Sequence, residues 1–173
     1  MRTNTGAEQL RQELHRICDQ WIAEGLPSRE VLERAADELD KWKQEHQIVG
    51  IWPSRPRLAT ATLDDGIGQG LAIIERYAGV AGLDVERIGL LQQPQTIIDT
   101  CRRRQPAFLG LTVLQLDSDE ALARIGRSLP EHTRLIAGGP VFAFDPEMAV
   151  RCNVDFVAAD LAQFVDFLLR WHR

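Results

Sequence analysis

Two adjacent carboxylates are the residues with the clearest capacity for chemistry, and they lie in the stretch TATLDDGIGQG, residues 60–70. Asp64 and Asp65 directly follow a short apolar, β-branched run, and glycine-rich turn residues separate them from a helical pattern. In a protein of alternating strands and helices, such a turn is where a ligand is held. The pair could bind Mg²⁺ or act as acid and base, whereas the structural alternative is a tight turn in which Asp65 caps the helix.

Small and hydroxyl side chains mark two further strand ends. Residues 109–114, LGLTVL, carry a single hydroxyl, that of Thr112, in an apolar strand. Residues 137–140, AGGP, end another strand on paired glycines, which let a ligand or a neighbouring backbone approach the sheet closely. For Thr112, a ligand contact and a hydrogen bond to nearby backbone are both open interpretations.

The elements that position these residues alternate from Leu58 onward. Apolar runs predict strands at residues 58–63, 87–91, 107–114, 133–137 and 154–158. Amphipathic patterns predict helices at 68–81, 94–104, 118–129, 146–152 and 160–171. We therefore predict an α/β fold, a flavodoxin-like (Rossmann-like) five-stranded parallel sheet of strand order 2-1-3-4-5, with ligands expected outside the carboxyl ends of its strands.

The first fifty residues have a different organisation. Helical patterns at 7–24 and 29–46, separated by Gly25 and Pro27, predict an N-terminal helical hairpin whose apolar stripe must pack on another surface. The prolines in GIWPSRPR, residues 50–57, predict a linker. We expect a hairpin domain at 1–50 and an α/β domain at 57–173.

Composition excludes several classes of function. A net charge of -5 argues against nucleic acid or an anionic membrane as a partner. The three cysteines lack the spacing of a disulfide framework or a metal site, and no apolar run or leader pattern indicates export or a membrane span, so we expect a cytoplasmic protein. No nucleophile lies near a base in the pattern, so we do not expect the chain to be an enzyme on its own.

Taken together, the three strand ends resemble the cobalamin (vitamin B12)-binding domain family over residues 57–170. That family has a DxHxxG loop after strand 1, a Ser-x-Leu on strand 3 and a Gly-Gly ending strand 4. Residues 112–114, TVL, stand at Ser-x-Leu, Gly138 and Gly139 stand at Gly-Gly, and Gly68 ends the first motif. The departure is that Asp65 takes the position of the cobalt-ligating His, and Leu63 that of the Asp.

The resemblance implies a tetrapyrrole cofactor, cobalamin, bound base-off and His-off, because a carboxylate is a poor substitute for imidazole on cobalt. It implies a groove beside the sheet for the benzimidazole tail, with the Thr112 hydroxyl available to the tail. The groove is closed if Phe142, Phe144 or Gln115 fills it. The residues expected to border the cofactor are Asp65, Gly66, Ile67, Gly68, Gly110, Thr112, Leu114, Gly138, Gly139 and Pro140.

Several functions fit this resemblance. The chain is expected to be a corrinoid-binding module that serves as a sensor, regulator or cofactor carrier, with a protein partner at the N-terminal helices; oligomer formation is open. It can be an accessory subunit of a B12-dependent methyltransferase or radical-SAM system. The alternatives are a haem-binding variant and a cofactor-free interaction domain. The chain lacks the acceptor Asp and the Lys that a phosphoacceptor receiver domain requires. The glycines at 66, 68 and 70 do not have the spacing of a dinucleotide-binding motif.

Overall fold

Helices and strands alternate along residues 5–172, the part of the chain that the computed structural model describes. The helices are α1 Thr5–Glu24, α2 Arg29–Glu45, α3 Gln69–Ala81, α4 Pro94–Arg104, α5 Asp119–Ser128, α6 Val141–Phe144, α7 Glu147–Arg151 and α8 Leu161–Arg170. The strands are β1 Arg57–Thr62, β2 Asp84–Gly89, β3 Phe108–Thr112, β4 Arg134–Gly138 and β5 Phe156–Val157, and a 3₁₀ turn, Leu116–Ser118, precedes α5.

The strands form one sheet in the order β2-β1-β3-β4-β5. The pairs β1·β3, β3·β4 and β4·β5 are parallel, and their register sets Thr62 beside Thr112 and Thr112 beside Gly138. The predicted flavodoxin-like fold, its strand order and the N-terminal helices are confirmed. The sequence pattern succeeds here because strands buried on both faces are nearly continuous apolar runs, and amphipathic helices separate them.

Three element boundaries differ from the prediction. Strand β2 ends at Gly89, and the apolar residues after it form a turn in which Leu91 has a φ of 51°. The helix predicted at 146–152 is α7, and a one-turn helix, α6, precedes it; Pro146 lacks an N–H and starts α7 anew. Strand β5 contains only Phe156 and Val157, and the other apolar residues of the predicted run lie outside the strand.

The chain divides into two compact units. The first contains the residues up to Pro56 together with Ile73–Asp84 and the residues from Asp160 onward, and the second contains Arg57–Ala72 and Val85–Ala159. The domain boundaries proposed above, 1–50 and 57–173, stay a prediction, and residues 1–4 and 173 lie outside the described residues. No helix among the described residues has the length and apolar character needed to cross a bilayer.

The second unit has its main core on one face of the sheet. Alternate residues of β1, β3 and β4 face this core together with side chains of α4, α5, α6 and α7, and the sheet members of the set are Ala59, Ala61, Leu109, Leu111, Val113, Leu135 and Ala137. Side chains alternate between faces along a strand. The intervening residues, among them Thr60, Gly110, Thr112 and Gly138, therefore form the opposite face.

In the first unit, long side chains join α1, α2, α3 and α8. The Arg11 guanidinium donates to the carbonyls of Leu169 and Ile51, at 2.6 and 3.1 Å. Tyr77 of α3 is fully buried and donates its hydroxyl to the Leu32 carbonyl of α2 at 2.8 Å. The Tyr77 ring also meets the Trp21 ring of α1 edge-on, with centroids 5.2 Å apart. One aromatic side chain thus contacts both helices of the hairpin.

Candidate functional site at the carboxyl edge of the sheet

The first loop at the carboxyl edge, residues 63–68, is shaped by its second carboxylate. Asp65 Oδ1 accepts the backbone N–H groups of Ile67 and Gly68, at 2.8 and 3.1 Å. Gly68 has a φ of +70°, and a Cβ there would lie 2.7 Å from Leu90 Cδ2. This glycine is therefore required by the turn. Asp65 closes the turn that precedes α3, which is close to the structural alternative offered by the sequence.

Thr62, at the end of β1, ties this loop to the loop that follows β2. Its hydroxyl donates to the Asp65 carbonyl and accepts the N–H of Leu91 at 2.9 Å. Gln92 N–H adds a bond to the Thr62 carbonyl at 2.8 Å. The Thr62 side chain is fully buried, and both capacities of its hydroxyl are used within the protein.

Asp64 makes the strongest link at this edge, and sequence reasoning missed it. Its carboxylate accepts the backbone N–H groups of Leu114 and Gln115, at 2.8 and 2.9 Å, and the Ser118 hydroxyl at 2.7 Å. Asp64 is half-buried and joins the loop after β1 to the loop after β3. The available signal was the strand order, since β1 and β3 are neighbours whose loops meet.

A row of small side chains lies at the ends of the three central strands. The register aligns Thr62, Thr112 and Gly138, and Thr60, Gly110 and Ile136 form the row before it. Thr112 is half-buried, and within the described chain its hydroxyl makes no hydrogen bond, whereas its carbonyl accepts the N–H of Leu63 at 3.3 Å. This hydroxyl is therefore available to a ligand, as the sequence interpretation requires.

The glycines of the candidate site differ in what their position demands. A Cβ on Gly139, whose φ is +126°, would lie 1.9 Å from the Val113 carbonyl oxygen, so the neighbouring backbone excludes any side chain. A Cβ on Gly138 would lie 3.0 Å from the Ala158 carbonyl oxygen. At Gly110 it would meet Leu58 and Thr60 at 3.6 Å, which is ordinary contact. Close backbone approach therefore explains Gly139 without a ligand.

Exposed apolar side chains surround this edge. They follow β1, β2, β3 and β4, and we call them the apolar rim: Ile67, Leu91, Leu114, Leu116 and Phe144. Ile67 is 76% exposed and Phe144 is 81% exposed. These side chains lie on the loops after four neighbouring strands, at the carboxyl edge of the sheet.

The remaining residues considered from sequence fall on different sides of the sheet. Pro140 is exposed at the start of α6, next to Gly139. Gly66 is exposed, and a Cβ there would touch only Leu91, at 3.4 Å. Phe142 belongs to the core on the face opposite Thr112, whereas Phe144 and Gln115 are exposed. Phe142 therefore does not fill a groove on the face of the sheet that carries Thr112.

The side chains that could ligate a metal are dispersed or already hydrogen-bonded in the described part of the chain. Among the described residues, no three His, Cys, Asp or Glu side chains cluster to hold a metal ion. Asp64 and Asp65 already accept backbone N–H groups, and the histidines lie elsewhere, in α1, after α2, before β4 and after α8. Burial raises the pKa of the Cys101 thiol to about 12, and also raises that of Cys152, so neither presents a thiolate near neutral pH.

The strand order defines a flavodoxin-like α/β domain, and the loops after β1, β3 and β4 lie at the carboxyl edge of its sheet. The B12 binding domain family matches residues 58–162. Since this is well over half of the 173 residues, the chain belongs to the B12 binding domain family. No curated protein matches the sequence.

Solved structures with this fold carry corrinoid descriptions. A novel cobalamin-binding protein from Desulfitobacterium hafniense DCB-2 matches with a TM-score of 0.79 and 18% identity, over 96% of this chain and 82% of that one. The monomethylamine corrinoid protein of Methanosarcina barkeri matches at 0.59 and 16%, over 92% and 79%. The methanol:cobalamin methyltransferase complex MtaBC of the same organism matches at 0.63 and 15%, over 94% and 66%. At these identities the likeness establishes the fold.

Proposed function

We propose that this protein binds a corrinoid at the carboxyl edge of its sheet without a protein ligand to cobalt, and serves as a carrier or sensor rather than as an enzyme on its own. The observation that carries the proposal is the family match over residues 58–162, which spans the sheet and the three loops. The corrinoid descriptions of the structural relatives support the same cofactor class.

The residues at the edge fit a corrinoid in three respects. The apolar rim offers Ile67, Leu114 and neighbouring side chains to the methyl-bearing surface of a corrin ring. The free Thr112 hydroxyl is available to the nucleotide tail, and Gly138 adds no bulk to its row. Asp65, Gly66 and Gly68 would border the ring through backbone. When bound, the corrinoid supplies a cobalt centre that can carry a methyl group, while the chain holds and orients it.

The absence of a cobalt ligand from the chain is argued from the loop carboxylates. Asp65 stands where the family places its His, and its Oδ1 is committed to two backbone N–H groups. Asp64 is committed to two N–H groups and a hydroxyl. Turning either carboxylate toward cobalt would disturb the loop hydrogen bonds that it accepts. Carboxylate oxygen is also a poor match for cobalt in place of imidazole.

A visible-spectrum titration of the purified protein with hydroxocobalamin, and separately with haem, tests the proposal. We expect saturable cobalamin binding that survives gel filtration and lacks the spectral change of imidazole ligation. Asp65→Asn, which keeps an acceptor oxygen, should leave the bound spectrum unchanged. A Soret band with haem alone would replace the proposal by the haem variant. Retention of neither would leave a cofactor-free interaction domain.

Three variants localise the site. Thr112→Val removes the hydroxyl and should weaken binding about fivefold, whereas Thr96→Val, an exposed position on α4, should not change it. Ile67→Asp places a charge on the rim and should weaken binding more. Gly138→Trp should abolish binding, with circular dichroism as the check of folding. Equal affinity of Thr112→Val and Thr96→Val would place the ligand elsewhere.

Carrier and sensor make different predictions for the N-terminal helices. A sensor must change the contacts of its hairpin on binding, so cobalamin should alter amide exchange in α1 and α2. A carrier needs no such change, and exchange should alter only in the loops after β1, β3 and β4. Hydrogen exchange of the protein with and without hydroxocobalamin separates the two.

A further inference from the structure

An open groove runs along the α1–α2 hairpin, within the first unit. It has a volume of about 660 Å³. On α1 the lining residues recur at helical spacing from Gln9 to Glu24, and on α2 they recur from Val31 to Trp42. At 1.5 Å per residue these faces extend over roughly 17–23 Å, the length of a helix of three to four turns.

The floor of the groove is apolar, and Tyr77 of α3 holds it in place. Trp21, Leu32 and Leu39 are almost fully buried, whereas Ile17, Ala35 and Trp42 are only partly covered and Val31 is 44% exposed. Tyr77 holds the floor through its hydrogen bond to the Leu32 carbonyl and its edge contact with the Trp21 ring. A groove with a fixed floor is largely formed before an occupant arrives, which lowers the cost of binding.

Acidic side chains dominate the rim of the groove. Glu13, Glu24 and Glu38 line it with a single basic residue, Arg16, and Arg16 is already paired with Glu13 at 2.6 Å. Helices α1 and α2 together carry ten acidic and six basic side chains, which accounts for four of the five net negative charges of the chain. Two such hairpins repel each other, so charge favours a basic occupant over a second copy.

We propose that this groove docks an amphipathic helix of a partner protein, whose apolar stripe enters between α1 and α2 and whose flanking Lys and Arg side chains meet Glu24 and Glu38. Recognition of this kind reads apolar anchors at i, i+3, i+4 and i+7. The groove and the cofactor edge share no residue, so the docking site stands whether or not the protein binds a corrinoid.

The test uses a synthetic peptide and the full chain without added cofactor. The peptide has about 16 residues, acetylated and amidated ends, Leu at the i, i+3, i+4, i+7 positions, Lys on both flanks and Ala elsewhere. A matched peptide carries Glu in place of each Lys. By fluorescence anisotropy at low salt, the Lys peptide should bind saturably and the Glu peptide at least about tenfold more weakly.

Variants separate the groove from general charge attraction. Ala35→Arg fills the groove at a helix position that tolerates Arg, and Glu38→Lys reverses one rim charge; each should weaken binding of the Lys peptide at least about tenfold. Asp19→Lys makes the same charge change at an exposed position of α1 outside the groove and should leave the affinity within about twofold. Circular dichroism of each variant confirms that the helices are retained.

Three results would overturn the proposal. The first is equal binding of the Lys peptide to Ala35→Arg and to the natural sequence, or no binding to either. The second is an equal loss in Asp19→Lys and Glu38→Lys, which would indicate attraction to overall charge. The third is a dimer in sedimentation that Ala35→Arg dissociates, which would make a second copy the occupant.

Discussion

Carboxylates serve opposite purposes at the sheet edge and in the hairpin. At the sheet edge, Asp64 and Asp65 accept five hydrogen bonds, four of them from backbone N–H groups. These two carboxylates therefore stabilise the conformation of the loops. In the hairpin, Glu24 and Glu38 lie exposed along a groove and present their charge outward. The comparison teaches that an acidic residue near a site is informative only once its donors are known.

Apolar exposure differs between the two regions in a complementary way. The rim at the sheet edge consists of single side chains on separate loops, which suits a ligand that lies across several strand ends. The hairpin groove is a continuous strip at helical spacing, which suits another helix. Substitutions can test whether each region has the role that its geometry suggests.

The largest effect is expected at Gly139, which the backbone of the sheet edge demands. Gly139→Ala places a Cβ against the Val113 carbonyl oxygen at a positive φ, so the free energy of unfolding should fall by about 3 kcal/mol or more. Gly110→Ala, where a Cβ makes ordinary contacts, should change it by less than about 1 kcal/mol. Urea unfolding measures both, and equal losses would contradict the distinction between the two glycines.

The second effect separates the two neighbouring carboxylates. Asp64→Ala leaves two backbone donors and the Ser118 hydroxyl without their acceptor and should cost about 2 kcal/mol, whereas Asp65→Ala loses a local turn and should cost about 1 kcal/mol. Urea unfolding gives the values. A larger cost for Asp65→Ala would show that the link between loops matters less than the turn within one.

The third effect concerns Tyr77 beneath the hairpin groove. Burial raises the pKa of its hydroxyl to about 12 from 10.0, so the folded protein keeps a proton that the unfolded chain loses. Its contribution is therefore full below pH 10 and declines as the pH rises toward about 12. Tyr77→Phe should cost about 1 kcal/mol at pH 8 and less above pH 10.

Direct titration provides the check on Tyr77. It is the only tyrosine of the chain, so ultraviolet absorbance of tyrosinate follows this hydroxyl alone. Ionisation near pH 10 in the folded protein would contradict the burial of the hydroxyl against the Leu32 carbonyl. An unfolded sample in urea gives the reference titration.

The smallest effect is expected from the hairpin charges. Arg76 of α3 pairs with Asp37 and Asp40 of α2 while about one-third exposed, and Arg76→Met should cost about 1 kcal/mol and less at high salt. Glu38→Lys should change stability by less than about 0.5 kcal/mol, because the side chain lies at an open rim. Thermal unfolding at low and high salt measures both variants. A large loss in Glu38→Lys would give this residue a structural role instead of a docking one.

The fold was predictable because its signals are local and repeated. Strands such as β3, with the sequence FLGLT, are nearly continuous apolar runs, and the amphipathic helices between them fix the class of sheet. Boundaries were less predictable where apolar residues serve in turns. Leu90 and Leu91 read as the end of a strand, yet Leu90 packs at Gly68 and Leu91 takes a left-handed conformation.

The candidate site was predictable in its place and less so in its contacts. Parallel strands direct Thr112, Gly138 and the turn at Asp65 to one edge, which follows from topology alone. The Asp64 link could not be read from the sequence, because its partners Leu114, Gln115 and Ser118 lie about fifty residues away and two of them donate through backbone. The sequence does not show which backbone N–H groups turn toward a side chain.

The link made by Asp64 has a kinetic consequence. Leu114 and Gln115 are exposed residues, but their backbone N–H groups both donate to the Asp64 carboxylate. Neither N–H can exchange with solvent until its hydrogen bond to Asp64 breaks. An opening that breaks the hydrogen bonds of Asp64 exposes both amides together. We therefore expect these two amides to exchange at the same rate, and hydrogen exchange of Leu114 and Gln115 measures it.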